Sequence, residues 1–182
     1  MGECALQFQI SEQKANAEVM PIGIKEVWVK GNQCKTRLTT AQLVQTFLFN
    51  TQLDKATITK DIGQAHFLQT INYPPVSKNN IVTQEEIATD STMNILGYRC
   101  KAMQLKWSDG SIYDILYTDA LNLTVNQFEL GFKNIPGLVL SYTITSAKGV
   151  RIQYQATQLD LSPLSLSLFT INNELYQAID EK

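Results

Sequence analysis

A mainly β chain is the fold class this sequence predicts: one large curved antiparallel sheet, a half-barrel, with one or two short helices or loops covering the concave side. Three observations predict it. The stretch from Ile112 to Thr118 alternates with a period of two, Ile112, Asp114, Leu116 and Thr118 on one side and Tyr113, Ile115 and Tyr117 on the other, which is strand periodicity. Turn chemistry recurs at Gly31-Asn32, Asp61-Ile62-Gly63, Ser108-Asp109-Gly110 and Ala147-Lys148-Gly149, each between alternating runs. Helices do not alternate with the strands, and no repeat of solenoid length is present. A closed up-and-down calyx is the alternative architecture.

In chain order, Leu6 to Ile10 reads as a first strand. Ser11 to Pro21 is polar and reads as a connector. Ile24 to Lys30, around Trp28, and Gln33 to Thr39 form a hairpin across Gly31-Asn32. Leu43 to Asn50 is the next strand, carrying Phe47 and Phe49. Thr57 to Lys60 and Ala65 to Thr70 flank Asp61-Ile62-Gly63 as another hairpin, with a short helix over Gln64 to Ile71 as the alternative. Tyr73 to Asn80 is a loop, read as a mobile flap, and Ile81 to Thr89 is a strand.

Tyr98 to Trp107 pairs with Ile112 to Thr118 across the Ser108-Asp109-Gly110 turn. Its apolar phase slips at Ala102-Met103, which predicts a bulge or a strand covered on both faces. Thr124 to Phe128 reads as a helical turn or short helix. Pro136-Gly137 has type II turn chemistry, with Gly at positive φ. Leu138 to Thr145 and Val150 to Thr157 make the cleanest hairpin, apolar on one face. Leu159 to Leu168 fits either a strand or a helix starting at Ser162-Pro163. Phe169 to Ile171 is a last short strand, and the tail beyond Glu174 frays.

With 182 residues, 44% of them hydrophobic and 18% charged, the chain suits one domain, residues 1–182, with a buried core. The net charge is −2, and Lys and Arg are scattered without a basic stripe, so sequence-independent nucleic-acid binding has little electrostatic support and no nucleic-acid partner is expected. No apolar run is long enough for a transmembrane helix. Cys4, Cys34 and Cys100 allow three pairings that sequence does not choose between; free, buried thiols are the expectation.

The catalytic inventory is poor. His66 is the sole histidine and sits in an expected strand, so any Ser–His or Cys–His chemistry would have to use it. Three scattered cysteines and one histidine do not make a zinc site. Asp109, Asp114 and Asp119 do not share a loop, because Asp114 is in a strand, which argues against a calcium site. Glu85-Glu86 point to opposite faces of a strand and form no acid–base dyad. There is no glycine-rich phosphate loop. The expectation is a non-enzyme without metal or cofactor.

The aromatic residues are expected to pack across strands. An incompletely filled sheet would leave a concave apolar pocket. Its expected ligand-binding residues are Trp28, Phe47, Tyr117, Leu138, Leu140, Tyr142, Ile152 and Tyr154, with Leu138, Leu140, Tyr142, Val150, Ile152 and Tyr154 as the principal wall.

Over residues 95–171 the order of motifs carries a resemblance. Ile95-Leu96-Gly97-Tyr98-Arg99-Cys100-Lys101-Ala102 is followed by Ser108-Asp109-Gly110, Tyr117-Thr118-Asp119, Asn134-Ile135-Pro136-Gly137-Leu138-Val139 and Leu168-Phe169-Thr170-Ile171. This resembles the GLPGLI family of secreted proteins of Bacteroidetes-type bacteria, with Asn134 in place of the first Gly. The resemblance implies a LolA/LolB-like fold. It also implies a secreted, periplasmic or outer-membrane-associated protein whose signal peptide has been removed. The function expected is binding or carriage of an apolar ligand, such as a lipid or lipoprotein acyl chain. The alternative is an envelope protein–protein interaction module that uses a sheet edge.

Overall fold

The computed structural model describes residues 2–14, 18–74, 79–87 and 93–179. Thirteen strands are present among them: β1 (Glu3–Gln13), β2 (Met20–Lys30), β3 (Gln33–Thr40), β4 (Val44–Asn50), β5 (Lys55–Ile62), β6 (Ala65–Asn72), β7 (Ile81–Ile87), β8 (Met93–Ile95), β9 (Tyr98–Trp107), β10 (Ile112–Thr118), β11 (Leu138–Thr145), β12 (Arg151–Asp160) and β13 (Gln177–Ala178). They form one sheet in the order β13-β6-β5-β4-β3-β2-β1-β12-β11-β10-β9-β7, with β8 also on β9. Every pairing is antiparallel except that of β13 with β6. Among the described residues the ends, at β7 and at β6–β13, do not pair with each other, so the sheet is an open half-barrel and not a closed calyx.

The first strand lies mid-sheet because β1 is bonded to β2 on one side and β12 on the other. Its alternation is complete from Cys4 to Ile10: Cys4, Leu6, Phe8 and Ile10 are buried, and the residues between them are half-buried. The strand continues to Gln13 and β2 begins at Met20, so both ends of the expected connector, Ser11 to Gln13 and Met20 to Pro21, are sheet; residues 15–17 lie outside the described set. The three cysteines are free. Cys4 and Cys34 both flank Val29 in the lateral register, which puts a strand between them. Two strand spacings make about 10 Å, beyond the roughly 7 Å a disulfide tolerates.

The β9–β10 hairpin forms as expected, with Asp109 accepting from the Ser111 N–H (2.9 Å) and hydroxyl (2.7 Å). The phase slip in β9 is not a bulge. Its register with β10 is continuous from Lys101 to Lys106, and Cys100 and Met103, on opposite faces, are both buried. The bulge lies instead in β11, where Leu116 pairs with Ser141 but Tyr117 pairs with Val139, leaving Leu140 as the extra residue.

Between β10 and β11, residues 119–137 form a long connection, termed here the strap. Its Leu123, Val125, Phe128, Phe132 and Ile135 are buried in the core cluster with the inward residues of β1 and β9–β11. The expected helix at Thr124 to Phe128 is absent; the strap's regular structure is one 3-10 turn, Phe132–Asn134. Side-chain bonds hold the rest. The buried Asn126 amide donates to the carbonyls of Gly137 (2.7 Å), Ile135 (3.3 Å) and Phe132 (3.4 Å). Gly131 has φ +88°, and a Cβ there would lie 2.9 Å from the Trp107 ring, so the strap turns where only glycine fits. Gly137 differs from expectation: its φ is not positive, and it is needed because a Cβ would meet the Thr118 carbonyl oxygen at 2.2 Å.

Elsewhere β5 and β6 form the expected hairpin, without the alternative helix. The strand expected to reach Thr89 ends at Ile87 among the described residues, and Pro75 to Lys78 of the expected flap lie outside them. After β12 the chain is irregular, with 3-10 turns at Leu166–Phe169 and Asn173–Leu175. Phe169 therefore closes a turn (Thr170 N–H to Ser167 O, 3.4 Å) and does not begin a strand. The segment beyond Glu174 does not simply fray, because β13 pairs with β6.

Candidate functional site

Alternation places Lys25, Val27 and Val29 of β2 on the inner face. The lateral register then sets two inner rows across the neighbouring strands. One is Lys25, Leu38, Gln45 and Lys60; the other is Val27, Thr36, Phe47 and Ile58. Over these rows the sheet carries no second layer of its own. A cavity of about 570 Å³ lies there, within the range typical of small-ligand sites. Its floor is Leu38, Gln45, Phe47, Ile58 and Ile71. Tyr73 and Pro74 bound one side, and strap residues Gln127 to Gly131, with Lys133, bound the other.

The middle of the strap is tied to both sides of this space, at Gln127 and at Glu129. On one side the Tyr73 hydroxyl donates to Gln127 Oε1 (2.8 Å), and the Tyr73 ring stacks on Phe49 with centroids 4.4 Å apart. On the other, Lys25 Nζ donates to Glu129 Oε2 (2.5 Å), the Tyr142 hydroxyl (3.0 Å) and the Phe128 carbonyl (3.3 Å). The Tyr142 hydroxyl donates in turn to Glu129 Oε2 (3.2 Å). The Lys25 ammonium also lies 5.5–5.8 Å from the ring centroids of Tyr154, Tyr142 and Phe128. Lys25 is only 7% exposed, so this is a nearly desolvated cation at the wall of a mainly apolar cavity. Glu129 supplies the counter-charge that such burial demands. Burial, and then the nearby Glu129 carboxylate, hold the Tyr142 phenol well above its ordinary pKa, and the same causes push Tyr154 up to about 12.

Of the eight residues expected to line a pocket, Phe47 and Tyr154 do so. Tyr142 lies directly beneath, fully buried and stacked on Tyr154 at 4.3 Å. Tyr117, Leu138 and Leu140 are also fully buried but belong to the filled core under the strap, where Tyr117 donates to Glu86 (2.5 Å). The β11 bulge changes the phase of that wall, so Val139 and not Leu138 pairs with the inward Tyr117. Ile152 pairs with Ile144 outside the cavity. Trp28 is on the opposite face, in antiphase to Val27 and Val29, beneath the Lys35 ammonium at 5.8 Å.

Lys25 and Glu129 were not anticipated. A signal for Lys25 exists: a lysine in the inward phase of an otherwise apolar strand is a buried cation that needs a partner. Glu129 has none, because it lies in a segment without periodicity. No group of three or more His, Cys, Asp or Glu side chains among the described residues is placed to hold a metal ion. His66 bonds Asp61 (2.8 Å) on the outer surface, away from the cavity.

No family model and no curated protein matches this chain. Among solved structures, the whole chain superposes on part of PNGF-II with a TM-score of 0.55 and 13% identity; it spans 32% of that protein's chain. That likeness concerns the fold alone. A LolA superfamily protein from Nitrosomonas europaea is 10% identical, with a TM-score of 0.44, over 93% of this chain and 90% of that one, a likeness too loose to carry an argument.

Proposed function

We propose that this protein is a non-enzymatic binder or carrier of an apolar ligand, such as a lipid or lipoprotein acyl chain, held between the inner face of β2–β6 and the strap. One observation carries the reading: Leu38, Phe47, Ile58, Ile71 and Tyr73 line an open cavity with apolar surface where the other half of the same sheet is filled by the strap. Burial of acyl methylenes, each worth about 0.8 kcal/mol, supplies affinity without any covalent step. The resemblance of residues 95–171 to the GLPGLI family supports an envelope or secreted location. No helix among the described residues is long and apolar enough to cross a membrane.

The test is native mass spectrometry with solvent extraction of the protein exported by a bacterial host, followed by titration with a fluorescent acyl probe. The expected result is an equimolar apolar adduct or saturable probe binding, each added methylene tightening it about fourfold, and loss of binding in Phe47→Asp. An apo mass together with no probe uptake overturns the reading. A second reading, an envelope interaction module, is favoured by β7, which among the described residues pairs with β9 alone and exposes Val82 and Ile87 along that edge.

A further inference from the structure

The proposed cavity is not electrically neutral in its design, and this bears on which apolar ligand it takes. Lys25 sits on the inner row of β2 with Leu38 and Gln45 beside it, and its ammonium faces the strap at the cavity wall. A purely hydrocarbon ligand gives no reason for a cation there; leucine in that inward phase would add apolar surface and need no partner. Instead the cation is kept, surrounded by three aromatic rings and neutralised by a single carboxylate. That carboxylate comes from the strap, not from the sheet, and its side chain still reaches solvent, being 23% exposed against 9% for that of Lys25. A second lysine, Lys133, lines the same cavity, and Glu129 is the sole acidic residue lining it among the described residues.

We infer that the ligand is a single-chain carboxylate, a fatty acid, whose head replaces Glu129 on Lys25. The inference rests on the apolar-ligand reading and deepens it. Charge balance selects this exchange. One carboxylate leaves the buried ammonium and another takes its place, so the desolvated cluster keeps its net charge and the Tyr142 hydroxyl keeps an acceptor. A head at Lys25 leaves the tail to lie along Leu38, Phe47, Ile58 and Ile71. The cavity's roughly 570 Å³ corresponds to about twenty groups the size of a water molecule in the liquid, the scale of one long acyl chain. Glu129 is then a stand-in that keeps Lys25 paired when the cavity is empty, and a competitor that the ligand must displace.

The test compares palmitate with hexadecanol, which share a chain and differ in the head, by calorimetry on the intact protein. The inference expects palmitate to bind at least about tenfold tighter. Glu129→Gln removes the competitor and should tighten palmitate severalfold while leaving hexadecanol unchanged. Lys25→Met should abolish the preference yet retain hexadecanol binding, which also reports that the variant is folded. Equal binding of the two by the native protein overturns the fatty-acid assignment and leaves the apolar-ligand reading standing. Binding of neither overturns both. The native comparison decides the matter even if Lys25→Met does not fold.

Discussion

The two halves of this sheet use the same inner face for opposite ends. In the half made of β9–β12, the inward residues Leu105, Ile115, Tyr117, Leu140 and Tyr142 are covered by the strap's Phe128, Phe132 and Ile135, and almost nothing of them remains exposed. Phe132 alone makes edge contacts with Phe128 at 5.4 Å and Tyr142 at 5.1 Å. In the half made of β3–β6, inward Cys34, Phe49 and Ala56 join the core at one end, but Leu38, Phe47, Ile58 and Ile71, equally apolar, are only half-buried. The difference arises from a single connection. The strap is long enough to fill one half, and it crosses only the border of the other, where Lys25 and Tyr73 hold it. One half thus has its inner face filled, and the other keeps apolar surface available at the cost of leaving it incompletely covered.

The strongest way to break this comparison is to truncate one aromatic side chain in each half. Phe132→Ala should destabilise the protein by about 3–5 kcal/mol, because it empties a fully buried ring site that the surrounding sheet cannot close. Phe47→Ala should cost well under half of that, since its ring already faces the cavity, yet it should weaken binding of an acyl probe. Denaturant titration of both variants, with probe titration beside it, measures the contrast. Equal stability losses would mean that the two halves are packed alike.

A smaller effect separates the strap's own fixation from the packing beneath it. Asn126→Ala leaves the carbonyls of Phe132, Ile135 and Gly137 without their shared donor and should cost about 1–3 kcal/mol. The loss should also appear in hydrogen exchange, as faster exchange confined to the strap and the adjoining β10–β11 ends. Uniformly faster exchange across β3–β6 as well would show that the strap stabilises both halves to the same extent.

What was legible in the sequence divides along the same line. The hairpins of β9–β12 and β2–β6 follow from alternation and turn residues, because strand pairing between neighbours is local information. The apolar wall at Leu138, Leu140 and Tyr142 was also visible, but not that it is filled. Filling depends on the strap, whose buried residues follow neither helical nor strand period. The β11 bulge was hidden because apolar residues occupy both phases from Leu138 to Leu140. The site itself joins Lys25 to Glu129, 104 residues away, through a contact that no local pattern encodes. Half of that pair was nevertheless readable, since Lys25 occupies the inward phase of β2. Trp28 was expected in the pocket with the other aromatic residues, although its phase relative to Val27 and Val29 puts it on the opposite face.

The mildest test uses protons. Burial pushes Tyr113, Tyr117 and Tyr154, all on β10 or β12, up to about 12, and holds Tyr142 on β11 higher than its ordinary range. Burial likewise raises the Cys4 thiol to about 12. For groups whose folded pKa is raised, the unfolded chain loses its protons first. The native state is then at full stability below the unfolded pKa, and stability falls as pH rises toward the folded one. The decline should begin above about pH 8.5, where an unfolded thiol ionises, and steepen above about pH 10, where unfolded tyrosines do. Tyr154→Phe keeps the ring against Tyr142 and removes one titrating phenol, so it should flatten the limb between about pH 10 and 12 by up to one proton's slope, roughly 1.4 kcal/mol per pH unit. Melting temperature measured against pH, alongside tyrosinate absorbance, reads this directly. A limb unchanged by that substitution would mean that Tyr154 ionises freely in the native state, and that the border between the filled and open halves is wetter than its stacked rings imply.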